Sequence, residues 1–181
     1  MIFNTKSITL NDGKQSIFRA PKLEDAAELA ALIKTACGET DFLLRTYDEC
    51  NETKEQEELF IKKLNESPVE MMIVCEIDGT IAGNCQLSFN QKYRTAHRAS
   101  IGISILKQYW GLGIGTAMFR EMIDAARVRN ITHLELNFME GNDRGRALYE
   151  KMGFRINSVM PEALRNKDGK LVNEYHMTLL L

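Results

Sequence analysis

Residues 101–118 read IGISILKQYWGLGIGTAM, and this stretch decides the fold. Its first half predicts a strand, roughly His97 to Leu106, and the apolar spacing from Ile114 onward predicts a helix. Three glycines within residues 111–115 form the turn between them. Because a helix begins directly after this turn, consecutive backbone N–H groups can approach a bound anion, and a phosphate is the natural ligand.

The same glycines also suit a purely structural turn with close helix–strand packing, and two other phosphate motifs can be tested by their spelling. A Walker loop requires Gly-Lys followed by Ser or Thr, which does not occur in the chain. A dinucleotide fingerprint has G-x-G-x-x-G near the start of a β-α-β unit, whereas residues 111–115 read G-x-G-x-G after several expected strands. A nucleotide-binding domain is therefore disfavoured.

Alternating apolar residues and turn dipeptides predict further strands on both sides of this unit. The clearest is a hairpin around Asp78-Gly79, because this dipeptide is a strong signal for a two-residue turn. We expect strands at Glu70 to Ile77, at Thr80 to Phe89, at Thr132 to Phe138, in a pair around Asn11-Asp12-Gly13 and in a pair around Lys167-Asp168-Gly169.

Three more segments show helical spacing. A helix after Pro21 is expected to end at Gly38, and a polar helix follows the capping-box signature of Thr53 and Gln56. A short helix is expected at Asn142 to Met152. Hairpins dominate early and strand–helix alternation follows, so the fold class is a mixed α+β (α/β) domain.

The chain has 181 residues and a net charge of −2, with 44% apolar and 27% charged residues. These values predict one folded domain over residues 1–181 and disfavour a nucleic-acid partner. No apolar stretch reaches membrane-spanning length and the N-terminus lacks a secretory pattern, so we expect a cytoplasmic protein without a membrane partner.

Four cysteines without C-x-x-C spacing predict reduced thiols: Cys37, Cys50, Cys75 and Cys85.

Residues 101–118 resemble the acetyl-coenzyme A-binding motif of the GNAT superfamily of N-acetyltransferases, whose core [RQ]-x-x-G-x-[GA] is matched by Gln108, Gly111 and Gly113. Downstream, NDRGRALYEKMGF at residues 142–154 matches the second signature of the family, N-x-x-[AG]-x-x-L-Y-x-K-x-G-F. Other parts of the chain are also similar, and the pattern is nearest to the branches that acetylate ribosomal-protein N-termini or small amines.

The resemblance implies a mixed, mostly antiparallel sheet of about seven strands flanked by helices. It also implies acetyl transfer from acetyl-CoA to a primary amine of a small molecule or peptide, by direct attack in a ternary complex and with no metal. The pantetheine arm would run along Ile103, Ser104 and Ile105. The pyrophosphate would lie on the backbone amides of Gly111, Leu112, Gly113, Ile114, Gly115 and Thr116.

Tyr149 matches the family tyrosine that protonates the coenzyme A sulfur. A phenol with a pKa of about 10 can donate a proton to a thiolate whose conjugate acid has a pKa near 8.5. Asn142 matches a residue that helps to hold the pantetheine, although an asparagine at a helix start also serves as a cap. The amide of Ile105 is the expected oxyanion donor.

The general base is not identified by the sequence. The ribosomal branch has a glutamate at the position of Asn137, and an amide side chain cannot accept the proton of an amine. A water relay or a weak candidate among Glu135, Glu140 and His97 remains open.

The acceptor amine is not identified either. Residues 42–44 would line a pocket or simply pack, and the acidic segment 48–58 suits either a cationic substrate or a solvated helix face. A non-catalytic coenzyme A-binding regulatory module is the alternative function, and a homodimer is compatible with the sequence.

Overall fold

The structure is a computed structural model and describes residues 2–181, which form four α-helices and one eight-stranded sheet. The helices are α1 (Ala26–Glu39), α2 (Lys54–Glu66), α3 (Ile114–Val128) and α4 (Asp143–Lys151). The strands are β1 (Lys6–Thr9), β2 (Gln15–Arg19), β3 (Glu70–Ile77), β4 (Thr80–Phe89), β5 (Arg98–Ile105), β6 (His133–Met139), β7 (Arg155–Arg165) and β8 (Leu171–Leu180).

The sheet has the order β1-β2-β3-β4-β5-β6-β8-β7, and within residues 2–181 only β5 and β6 are parallel neighbours. The predicted mixed, mostly antiparallel sheet is confirmed. The expected number of about seven strands is one too low, because the hairpins at both ends of the chain, β1–β2 and β7–β8, are continuous with the central sheet.

The parallel pair β5–β6 is short and then opens. Its register covers only Arg98 to Ser100 on β5 and His133 to Glu135 on β6. On the other side, β5 stays paired with β4 as far as Ile105, and the backbone N–H of Leu106 donates to the carbonyl of Ala82 at 3.0 Å. Since antiparallel hydrogen bonds alternate along a strand, the backbone groups of Ile103 and Ile105 point into the gap beside β6.

Helices cover both faces of the sheet and make two cores. Ile73 belongs to the core under α3 and α4, whereas its neighbour Val74 belongs to the core under α1 and α2, because successive strand residues face opposite sides. Helices α3 and α4 therefore lie on the opposite face of the sheet from α1 and α2.

The structure confirms the predicted start of α2 but not the predicted end of α1. The Thr53 hydroxyl accepts a hydrogen bond from the Gln56 backbone N–H, which confirms the predicted capping box. The prediction that Gly38 ends α1 is wrong, since the helix continues to Glu39. A Cβ at Gly38 would lie 3.1 Å from the Tyr47 ring, so this glycine permits close packing of the following loop. No helix of residues 2–181 is long and apolar enough to cross a membrane.

Candidate active site

A cavity of about 520 Å³ lies at the end of β5, where β5 has separated from β6, and is lined by residues of α1, α3 and α4. Its first end is formed by the turn before α3, its middle by the end of β5 and by α4, and its second end by the last turn of α1 and the loop after it. The predicted strand–turn–helix unit therefore forms one wall of this cavity.

The glycine-rich turn presents free backbone N–H groups to the first end of the cavity. Gly111 and Gly113 have φ values of 86° and 87°, a conformation that favours glycine. Gly113 is the N-cap of α3 and provides no side-chain cap. The first N–H groups of a helix have no intrahelical acceptor, so those of Ile114, Gly115 and Thr116 remain available at this wall.

Asn11, in the turn between β1 and β2, braces this glycine turn. Its backbone N–H donates to the Leu112 carbonyl at 3.0 Å and its side-chain amide donates to the Gly111 carbonyl at 3.2 Å. A Cβ on Gly113 would lie 2.8 Å from Asn11 Oδ1, so the two turns fit only with glycine there. No local pattern predicts this contact, because Asn11 alone indicates only a hairpin turn.

A second residue that the sequence did not single out is Arg144, on α4. Its guanidinium lies 4.8 Å from the centre of the Trp110 ring and 4.0 Å from the position of a Cβ on Gly111. The stacking holds a positive charge beside the turn whose N–H groups face the cavity. The first end of the cavity thus combines a helix N-terminus with an arginine, a suitable pair for a phosphate.

Tyr149 lines the middle of the cavity and is buried among aromatic rings. Its ring centre lies 5.6 Å from that of Phe119 and 5.9 Å from that of Phe138. Burial raises the pKa of Tyr149 to about 12, so its hydroxyl stays protonated at neutral pH. Within residues 2–181 no side chain or carbonyl makes a hydrogen bond with that hydroxyl, which leaves it available to a bound molecule.

Asn142 caps α4, since its side-chain oxygen accepts a hydrogen bond from the Gly145 backbone N–H at 2.9 Å. Gln108 is exposed on the short 3-10 turn after β5 and lies outside the cavity wall, as does Leu112, which packs on the main core. The coenzyme contacts of all these residues stay predictions. The predicted site residues that line the cavity are Ile103, Ser104, Ile105, Gly111, Gly113, Ile114, Gly115, Thr116, Asn142 and Tyr149.

The second end of the cavity has no charged side chain from α1 or from the loop after it. Phe42 and Leu43 of this loop line the wall, whereas Leu44 is 83% exposed. Phe42 packs close to the backbone of Gly141, where a Cβ would lie 3.8 Å from the phenyl ring. An ion pair at 3.3 Å between Asp41 and Lys167 connects the loop to the β7–β8 hairpin. The acidic segment 48–58 lies outside the cavity wall.

None of the three base candidates lies on the cavity wall within residues 2–181. The His97 ring contacts the His133 ring edge-on at 5.2 Å, near the other end of β5. The Glu135 carboxylate is bound by the Arg98 guanidinium at 2.6 and 2.8 Å, and the Glu140 carboxylate accepts the Asn173 backbone N–H at 3.0 Å. All three carboxylate or imidazole groups thus have structural partners.

A different carboxylate stands beside Asn137. The Asn137 side-chain amide donates to Glu174 Oε1 at 3.2 Å, across the β6–β8 pair. Asn137 comes two residues after the last parallel pair of β5 and β6, so this contact borders the gap, although neither Asn137 nor Glu174 lies on the cavity wall. The sequence could not indicate it, because the register of β8 against β6 is a long-range feature. Among residues 2–181 no three His, Cys, Asp or Glu side chains are grouped to hold a metal ion.

The class that this fold and cavity define is confirmed by comparison with known proteins. The model of the acetyltransferase (GNAT) family matches residues 40–154, and the chain belongs to this family. L-amino acid N-acetyltransferase AaaT of Escherichia coli (strain K12) is 30% identical over 118 residues, which cover 64% of this chain and 72% of that protein.

Two solved acetyltransferase structures have a similar fold. An acetyltransferase of the GNAT family from Streptococcus pneumoniae is 30% identical, with a TM-score of 0.85 over 92% of this chain and 99% of that one. The structure of yncA from Salmonella typhimurium with its cofactor acetyl-CoA has 16% identity and a TM-score of 0.79, over 99% of this chain and 95% of that one.

The chain is therefore an N-acetyltransferase that transfers acetyl from acetyl-CoA to an amine. The predicted family, enzyme class and cosubstrate are confirmed, and the alternative of a non-catalytic coenzyme A-binding module is not supported.

Proposed function

We propose that this enzyme acetylates a primary α-amine on an apolar residue, as a free amino acid or at the start of a peptide. The amine attacks the thioester of acetyl-CoA directly while both substrates are bound, and Tyr149 protonates the departing thiolate. The observation that carries this proposal is the position of Tyr149, buried on the wall of a cavity that the glycine turn and the loop after α1 also line.

The backbone at the end of β5 supports the placement of the pantetheine arm. The arm carries two amides, and the backbone groups of Ile103 and the N–H of Ile105 point into the gap beside β6, so the arm can pair with β5 like an added strand. The Ile105 carbonyl is already occupied, since it accepts the Trp110 indole N–H at 2.8 Å. The Ile105 N–H is then the donor to the thioester oxygen as negative charge develops there. The pyrophosphate meets the N–H groups before and within the first turn of α3, together with Arg144.

The environment of Tyr149 keeps its proton on the phenol until the thiolate departs. Its pKa, raised by burial to about 12, keeps the phenol protonated before the reaction. A thiolate that leaves the tetrahedral intermediate is charged in a poorly solvated cavity, where a nearby O–H donor stabilises it strongly. The C–S bond breaks as the phenol donates its proton, and the phenolate regains one from solvent.

The amine must lose a proton during the same reaction, and Glu174 is our candidate for the group that accepts it. A free α-amino group has a pKa of about 8, and Glu174 lies outside the cavity wall, so its carboxylate accepts the proton through a short water chain. Glu174 lies beside the gap, and the hydrogen bond from Asn137 fixes its orientation. The amide at position 137 thus positions the carboxylate that the neighbouring strand supplies.

The acceptor class is supported by the lining of the second end of the cavity and by the relatives. Ala36, Thr40, Phe42 and Leu43 provide no charge to bind a cationic or acidic side chain, and they suit an apolar group. AaaT, which is 30% identical over the matched residues, is an L-amino acid N-acetyltransferase. Both observations favour an α-amine with an apolar side chain over a polyamine.

The test is turnover of acetyl-CoA with a matched panel of amines, monitored by release of the coenzyme thiol and by mass spectrometry of the product. The panel contains apolar and charged L-amino acids, their amides, short peptides with the same first residue, and a polyamine. We expect the highest kcat/KM for apolar first residues. A preference for the polyamine or for acidic residues would contradict the acceptor class.

We further propose that the enzyme works in the cytoplasm and forms a homodimer. Four free cysteines are in keeping with a reducing compartment. Fractionation of cells and light scattering of the purified chain test the two statements separately.

A further inference from the structure

Two thiols meet at the base of the loop that follows α1. Cys37 lies in the last part of α1 and Cys50 lies in residues 40–53, here named the acceptor loop. Their Sγ atoms are 3.5 Å apart and both side chains are buried. A disulfide has an S–S distance of about 2.05 Å, so the two sulfurs need to approach by only about 1.5 Å.

The acceptor loop is held by few contacts, and Cys50 is its only buried residue. The Tyr47 ring packs against Gly38 and against the Lys34 ammonium, 4.8 Å from its centre, and Asp41 pairs with Lys167 on a distant hairpin. A segment with so little buried apolar surface opens at low free-energy cost. Opening exposes Cys50 and admits a small oxidant, while Cys37 stays on a rigid helix.

We propose that Cys37 and Cys50 form a reversible disulfide that fastens the acceptor loop to α1. The oxidant is a peroxide such as hydrogen peroxide. One thiolate attacks the O–O bond, which breaks to give a sulfenic acid and, after protonation, water. The second thiol then attacks that sulfur, the S–S bond forms, the S–O bond breaks and a second water leaves. Two electrons pass from the two thiols to the peroxide, and a dithiol reductant reverses the change.

The oxidation proceeds through the open loop and not through the closed one. In the closed loop, burial and the contact with Cys50 raise the pKa of Cys37 to about 11, which keeps its thiol protonated and unreactive. Arg45, a charged residue of the loop, opposes this rise only weakly. The rate of disulfide formation is therefore limited by how often the loop opens.

The disulfide would enclose Phe42 and Leu43, which line the second end of the cavity. Fastening the loop at both ends restricts exchange of the amine without touching the glycine turn at the first end. This consequence for amine turnover rests on the proposed function, whereas the formation of the disulfide does not.

Cys75 and Cys85 provide an internal control. Both are fully buried on β3 and β4, in the middle of the sheet, where no loop can open to expose them. Burial raises the pKa of both thiols. We expect them to resist an oxidant that reaches Cys37 and Cys50.

The test treats the full chain with hydrogen peroxide, blocks the remaining thiols with an alkylating reagent and identifies cross-linked peptides by mass spectrometry. We expect one intramolecular link between Cys37 and Cys50, reversed by dithiothreitol, before Cys75 or Cys85 reacts. Overoxidation of either thiol without a link, or no reaction short of unfolding, would overturn the proposal. This readout uses the natural sequence and does not depend on whether a variant folds.

The oxidised and reduced samples are then compared by tryptic cleavage after Arg45, by thermal unfolding and by kinetics. We expect cleavage to slow by about tenfold and Tm to rise by on the order of 5–10 °C. We also expect kcat/KM for the amine to fall by about tenfold while acetyl-CoA affinity is kept. If the enzyme with the disulfide fully formed and the reduced enzyme had equal kcat/KM for the amine, the proposal that the disulfide restricts amine turnover would be overturned. Inactivity of the reduced enzyme toward the whole panel would instead contradict the proposed function.

Discussion

The side-chain amide of Asn11 donates a hydrogen bond to the carbonyl of Gly111 at a distance of 3.2 Å. The two residues are a hundred positions apart, and the contact joins the turn of the first hairpin to the turn that begins α3. The Gly111 carbonyl accepts this bond, and the N–H groups of the glycine turn stay directed toward the cavity. The first hairpin thus fixes the conformation of the turn that forms the first end of the cavity.

The fit between these turns predicts the effect of Gly113→Ala. The new Cβ would meet the Asn11 side chain at 2.8 Å and would stand on a backbone with φ of 87°. We expect acetyl-CoA affinity to fall by about tenfold or more, measured by calorimetry. Gly169→Ala is the control, since φ there is 80° but a Cβ would meet nothing within 4 Å. Equal loss of affinity in both variants would show that strain alone is responsible.

Removal of the charge on Arg144 should weaken coenzyme binding. For Arg144→Ala we expect KM for acetyl-CoA to rise by about tenfold with kcat nearly unchanged, since the guanidinium stands by the glycine turn. Arg146→Ala is matched to it, because this arginine is on the same helix but pairs with Glu150 at 2.8 Å. A larger effect at position 146 would refute the role of Arg144.

The candidate base gives a prediction about pH. For Glu174→Gln we expect kcat/KM for the amine to fall by about tenfold at pH 7 and to recover as pH rises above about 8, where the α-amine is neutral on its own. Affinity for acetyl-CoA should be retained. Glu150→Gln, which changes an exposed carboxylate on α4, is the control. A loss that is constant from neutral to alkaline pH would speak for a purely structural role of Glu174.

The raised pKa of Tyr149 predicts the alkaline side of the rate profile. The group donates as a neutral phenol, and folding favours that form, so its contribution to stability is full below about pH 10 and is lost as pH rises through about 12. With saturating substrates, kcat should therefore show no alkaline decline below about pH 10. A decline well below that pH in the natural enzyme would conflict with a proton held on Tyr149.

Local signals in the sequence predicted most of the fold. The Asp78-Gly79 hairpin, the cap at Thr53 and the unit from β5 to α3 lie where spacing placed them, because each depends on a few neighbouring residues. The end of α1 was predicted at Gly38, but the helix continues to Glu39. The absence of a side chain at Gly38 allows the Tyr47 ring to pack closely and does not mark a turn. A glycine that permits close packing cannot be distinguished locally from one that ends a helix.

The candidate site was predictable only on the coenzyme side. Residues of the two motifs converge on the cavity because β5, α3 and α4 are adjacent in the family fold. Asn11, Arg144 and Glu174 acquire their positions from packing and strand register, which no local pattern encodes. The second end of the cavity is likewise formed by a loop whose course depends on long-range contacts.

The most direct test of the central claim is the rate of acetyl transfer by Tyr149→Phe with acetyl-CoA already bound. The substitution removes one hydroxyl from a ring whose aromatic contacts remain, so the fold and the coenzyme affinity should be kept. We predict a fall in kcat of about 10²-fold with an unchanged dissociation constant for acetyl-CoA, whereas Tyr93→Phe, at an exposed tyrosine, should have no effect. An unchanged rate in Tyr149→Phe would contradict the assignment of Tyr149 as the proton donor.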